Sequence, residues 1–110
     1  MAYSIALYER LSELLPVHRY PVKRMFGGVV FFLRGHMLVG TFGRGMMVRV
    51  SAQDGAEYLK HAGAVPLAGN PKRMQGFLIL DESLIDRDDD LELWIARAMA
   101  YNTTLVAKER

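Results

Sequence analysis

The chain has 110 residues, 51% of them apolar and 24% charged, which places it among folded globular chains and excludes a disordered arm or a repeat array. The absence of cysteine excludes a disulfide framework, a thiolate nucleophile and any cysteine-ligated zinc or iron-sulfur site. The formal charge of +2 hides a segregation: no Asp or Glu lies between Glu13 and Asp54, where Arg19, Lys23, Arg24, Arg34, Arg44 and Arg49 all fall, whereas Asp81, Glu82, Asp86, Asp88, Asp89, Asp90 and Glu92 form a late acidic stretch.

At this length one core is expected, so residues 1–110 read as a single domain with no separate C-terminal domain. No run approaches the roughly 18 apolar residues that span a bilayer, so no membrane partner is expected. The N-terminus, carrying Glu9 and Arg10, lacks the pattern of a secretory leader. Together with the lack of cysteine this reads as a cytoplasmic protein.

In chain order, residues 2 to 15 are expected to form a helix, with Leu7, Leu11, Leu14 and Leu15 at helical spacing and Pro16 at its end. His18 to Pro21 reads as a polar connection. Between Lys23 and Val50 lies the most regular stretch, a three-stranded meander. Val29 to Leu33 is its first strand, Arg34-Gly35 a turn, His36 to Thr41 the second strand, Gly43-Arg44-Gly45 another reversal, and Met46 to Val50 the third strand. Alternation in the last strand puts Met46, Val48 and Val50 on one face and Met47 and Arg49 on the other, which marks that second face as the wetter one or a ligand face.

Ser51 reads as the N-cap of a second helix, with Asp54 near its positive end, Ala56, Leu59 and Tyr58 packing inward, and Gly63 as terminator. The segment AVPLAGNP that follows reads as a loop. Gln75 to Leu80 reads as a further strand, and Asp88 or Asp89 as the cap of a last helix that runs on through LELWIARAMAYNTTLVA. In that helix Leu91, Trp94, Ile95, Ala98 and Met99 recur at helical intervals, with Trp94 as core anchor. The expected fold class is α+β, an antiparallel or mixed sheet with helices packed against it.

Lys23, Arg24, Arg34, Arg44 and Arg49, extended by Lys72 and Arg73, are the candidate contacts for an anion or a partner, because guanidinium forks bind phosphate and carboxylate well if the fold gathers them. The glycines match neither a phosphate loop nor a dinucleotide fingerprint. His18, His36 and His61 are scattered, and the Asp86 to Asp90 cluster lacks the spacing of a calcium loop, so no metal or other cofactor is assigned. Ser4, Ser12, Ser51 and Ser83 occur without an activating base at visible spacing, so no catalytic residue is assigned. The methionines and phenylalanines read first as packing.

The phrase Arg24-Met25-Phe26-Gly27-Gly28, the Arg34-Gly35 hairpin, the strand Gly45 to Val50, the later Met74-Gln75-Gly76-Phe77 and the final Trp94-Ile95 and Ala98-Met99-Ala100-Tyr101 helix resemble, in that order, the TfoX N-terminal domain family, regulators of competence or DNA transformation. The resemblance covers nearly the whole chain. It implies a compact α/β domain, here without the C-terminal domain of longer members, and involvement in control of DNA-uptake genes. The function expected is a non-enzymatic interaction or regulatory module, its partner an unknown protein or a second copy in a homodimer. The alternatives are direct nucleic-acid binding and a small enzyme with an unidentified substrate.

Overall fold

The computed structural model describes residues 4–67 and 75–108. In chain order its elements are α1 (Ile5–Leu14), β1 (Val22–Met25), β2 (Gly28–Leu33), β3 (His36–Phe42), β4 (Gly45–Arg49), α2 (Ala52–Tyr58), β5 (Ala64–Pro66), β6 (Phe77–Leu80), a short 3-10 turn (Glu82–Leu84) and α3 (Asp88–Asn102). The strands form one sheet in the order β1-β2-β3-β4-β6-β5, antiparallel at every pairing. The fold is α+β, and of the two expected sheet types it is the antiparallel one.

The expected meander is present as β2, β3 and β4, and the expected later strand pairs beside it as β6, but both outer strands of the sheet, β1 and β5, are absent from the sequence reading. β1 covers Val22 to Met25 and is joined to β2 by Phe26-Gly27, both with positive φ (57° and 72°). Left-handed backbone at both central residues is what a tight hairpin link requires, and Arg34-Gly35 (57° and 85°) repeats it between β2 and β3. β5 lies where a loop was expected and pairs Ala64 with Leu80 and Pro66 with Leu78. Three residues are too few to show alternation, and Pro66, lacking an N–H, is tolerated because β5 is an edge strand.

Both faces of the sheet are apolar. Phe31, Met46, Val48, Leu78 and Leu80 pack with Leu7, Leu11 and Leu15 of α1 and with Leu91, Trp94, Ile95 and Ala98 of α3, while Val30, Met47, Leu67 and Phe77 form a second cluster. This corrects the expectation of a wetter second face: Met47 is fully buried, because the long apolar runs in β2 to β4 leave neither side polar. Thr41 is also wholly buried, and its Oγ1 accepts from the Val29 N–H at 2.9 Å.

Helix ends differ from the sequence reading in instructive ways. α1 begins at Ile5 rather than at residue 2, because the Ser4 hydroxyl accepts from the Leu7 N–H at 3.1 Å and fixes the cap. Ser51 does cap α2, accepting from the Asp54 N–H at 3.0 Å. That helix, however, turns Gly55 inward and leaves Ala56 and Leu59 exposed, since the buried position lies about 100° around the helix from its neighbour. At α3 neither Asp88 nor Asp89 is the cap: Arg87 holds that position without a side-chain bond, and Asp88, Asp89 and Asp90 fill the first turn, next to the positive end of the helix dipole. The helix ends at Asn102, where Thr103 and Thr104 hydroxyls donate to the carbonyls of Ala100 (2.8 Å) and Tyr101 (2.7 Å). Among the described residues no helix is long and apolar enough to cross a membrane.

Candidate functional site

Antiparallel register decides where each cation goes. The Leu33↔His36 and Phe42↔Gly45 pairs close hairpins at opposite ends of β3, so the turns carrying Arg34 and Arg44 point to opposite ends of the sheet. Arg49, at the end of β4, falls on the Arg34 side.

At that end the residues following α3 lie across the β2–β3 turn. The Arg34 guanidinium donates from Nη1 to the Asn102 carbonyl at 2.7 Å, a favourable place for a cation because it is the negative end of α3. Asn102 donates in turn from Nδ2 to the Leu33 carbonyl at 3.0 Å, and the Lys108 N–H donates to the Arg34 carbonyl at 3.0 Å. His36, only 9% exposed, places Nε2 at 2.7 Å from the Val106 carbonyl. A carbonyl only accepts, so Nε2 carries the hydrogen, and Nδ1 of the neutral ring is left to accept from Arg49 Nη1 at 3.5 Å. The Arg49 guanidinium also lies over the rings of Phe77 (4.9 Å) and Tyr101 (5.8 Å). Arg34 and Arg49 therefore lie at the same end of the sheet, Arg49 against His36, and both guanidiniums face the chain's own backbone or ring atoms. Asn102 Oδ1 is buried there without a hydrogen-bond partner among the described residues.

The remaining predicted cations stand apart. Arg44 places Nε 3.4 Å from Glu82 Oε1, with both side chains well exposed, an arrangement worth no more than about 1 kcal/mol. Lys23 lies over the Phe32 ring at 5.4 Å. Its neighbour Arg24 is exposed on β1, on the opposite face by alternation. Lys72 and Arg73 lie outside the described residues.

Two helix-lined surfaces were missed from the sequence. Between α2 and α3 a groove of about 300 Å³ is lined by Ser51, Asp54, Tyr58, Arg97, Tyr101 and Thr104 among others. Arg97 stacks there over Tyr58 (4.7 Å) and Trp94 (4.6 Å); its spacing of three from Trp94 and four from Tyr101 was the available signal. Between α1 and α3 runs a crevice of about 200 Å³ lined by Leu14, Leu15, Glu92, Ile95, Ala96 and Met99. Exposed Leu14 carried a helical phase that looked purely internal, which is why the crevice was invisible beforehand.

Among the described residues no group of three His, Cys, Asp or Glu is placed to hold a metal ion. One carboxylate is tuned by its surroundings: Asp81 accepts from the Ser83 N–H at 3.0 Å, and hydrogen bonding from the Ser83 side chain and backbone holds its carboxyl below the usual aspartate range. A depressed carboxyl contributes stability above its unfolded-state pKa and loses it as pH falls through the folded value. Ser83→Ala is expected to move the Asp81 titration upward toward the ordinary range, read by carbon-13 NMR of the carboxyl; an unmoved titration would show that the backbone bond alone sets it.

Residues 11–101 match the family model of the TfoX N-terminal domain, so the segment that crosses the β2–β3 turn lies beyond the matched range. No curated protein and no solved structure matches the chain.

Proposed function

This chain belongs to the TfoX N-terminal domain family, and we propose from that premise that it is a non-enzymatic regulatory module, acting in control of competence by holding another protein. The observation that carries this reading is the dispersal of its cations. Non-specific nucleic-acid binding draws on several free cations along one surface, each releasing counterions from the phosphate backbone. Among the described residues Arg34 is committed to a helix-end carbonyl and Arg49 to His36 and two rings, while exposed Arg44 lies beside Glu82 at the other end of the sheet, and Lys23, over Phe32, and exposed Arg24 lie on opposite faces of β1. The acidic first turn of α3 adds a surface that repels phosphate. A role in gene control places the protein in the cytoplasm.

Fluorescence anisotropy of labelled duplex and single-stranded DNA, titrated at a low salt concentration of about 20 mM where screening is weak, tests the choice between protein and nucleic acid. No saturable rise is expected. A salt-sensitive rise that shrinks in Arg24→Gln and Arg44→Gln would overturn the reading in favour of direct DNA binding.

A further inference from the structure

The crevice between α1 and α3 combines an apolar floor with an acidic rim. Leu15 and Ile95 are buried at its base, while Leu14 stands up from α1 at 42% exposure and Ala96 is exposed on α3. A second depression, which shares Leu14 and Glu92 with the first, continues it past Arg10, Glu13 and Asp88. Arg10 is the one cation lining either depression, and it is committed: Nη2 lies 3.2 Å from Asp88 Oδ1 and donates to the Asp86 carbonyl at 3.2 Å. Glu13 and Glu92 make no ion pair with any described residue. An apolar trough bordered by carboxylates without counter-ions has the chemistry complementary to a basic segment that also carries apolar anchors.

We propose that this crevice docks a basic amphipathic helix of a partner protein, its apolar side chains seated on Leu14, Ile95 and Met99 and its Lys or Arg side chains facing Glu13 and Glu92. The proposal rests on the protein-binding reading above and specifies the partner that reading left open. The apolar seat supplies most of the affinity. The rim sets orientation and speeds encounter, an effect that fades as salt rises.

The test uses the nitrogen-15-labelled chain and three synthetic peptides: one with Leu and Lys at amphipathic helical spacing, one with Glu in place of Lys, and one with Ser in place of Leu. The Leu/Lys peptide is expected to shift the amide signals of Leu14, Glu92, Ile95 and Ala96, and the other two to leave them unmoved. Glu13→Lys combined with Glu92→Lys should weaken the Leu/Lys peptide about tenfold or more, as loss and reversal of two facing charges implies. Both sites are exposed, and unchanged dispersion elsewhere in the spectrum verifies the fold; Leu14→Ser provides a second variant, expected to weaken binding through the apolar seat alone. Shifts that map elsewhere, an affinity unchanged in the charge-reversed variant, or equal binding by the Ser peptide would each overturn the proposal. Concentration-dependent self-association lost in Glu92→Lys would overturn it in favour of a second copy as occupant. A positive DNA titration, by contrast, would sink the functional reading while leaving these amide shifts where they are.

Discussion

Trp94→Ala is expected to cost the fold about 3–5 kcal/mol, the range for removing a large aromatic side chain from a core. Trp94 is 5% exposed and sits where α3 meets both α2 and the sheet. Its ring meets Tyr58 edge-on, with centroids 5.1 Å apart and planes at 78°, and Arg97 lies over it at 4.6 Å. Truncation therefore removes buried area, an aromatic pair and a cation–π contact together. Small domains have only about 5–15 kcal/mol of net stability, so the variant should sit near its unfolding threshold at ambient temperature. Urea unfolding followed by circular dichroism is the proper measurement, because Trp94 is the single tryptophan and its fluorescence vanishes with it. Leu93→Ala, one residue away but 46% exposed, should change stability by no more than about 0.5 kcal/mol. A loss below about 1 kcal/mol at Trp94 would mean that α3 is anchored elsewhere.

The sequence made the central hairpins and α3 readable because local chemistry specified them: Arg34-Gly35 and Gly43-Arg44-Gly45 punctuate apolar runs of strand length, and Leu91, Trp94, Ile95 and Ala98 recur at helical spacing. β1 and β5 were not readable. Their strand character is conferred by neighbours, β1 by the left-handed link at Phe26-Gly27 and β5 by pairing with β6, and neither segment is long enough to show a period. The same division holds for the candidate site. That Arg34 and Arg49 are functional-looking cations was plain from composition, but that Arg34 would meet a helix-end carbonyl 68 residues away depends on where α3 stops. Two threonine hydroxyls, at Thr103 and Thr104, settle that end. The acidic rim of the α1/α3 crevice was legible only as a charge run, since pairing Glu13 with Glu92 across a groove requires knowing how the two helices pack.

Gly76→Ala and Gly27→Ala, both at glycines within the phrases that carry the family resemblance, should separate sharply. Each glycine has a left-handed φ, 85° at Gly76 and 72° at Gly27. At Gly27 an added Cβ would meet nothing within 4 Å, so only the conformational cost of about 1–2 kcal/mol remains. At Gly76 the same atom would strike the Val50 carbonyl oxygen and come within 3.2 Å of Ser51 backbone atoms. Those atoms are not free to retreat, because the Val50 N–H donates to the Gly76 carbonyl at 2.8 Å and Ser51 caps α2. Strain and overpacking together imply a loss of about 2–5 kcal/mol at Gly76, to be measured against Gly27→Ala by urea unfolding; equal losses would refute the steric account. Gly28 of the first phrase behaves like Gly76, since a side chain there would meet Thr41 O and Oγ1 at 2.5 Å, the same hydroxyl that accepts from Val29. Gly28 and Gly76 thus mark places where two backbone segments pass too closely for a side chain. They record how the sheet is assembled, whereas the α1/α3 crevice combines Ile95 and Met99 of the last of those phrases with Glu13, Leu14 and Glu92 outside them.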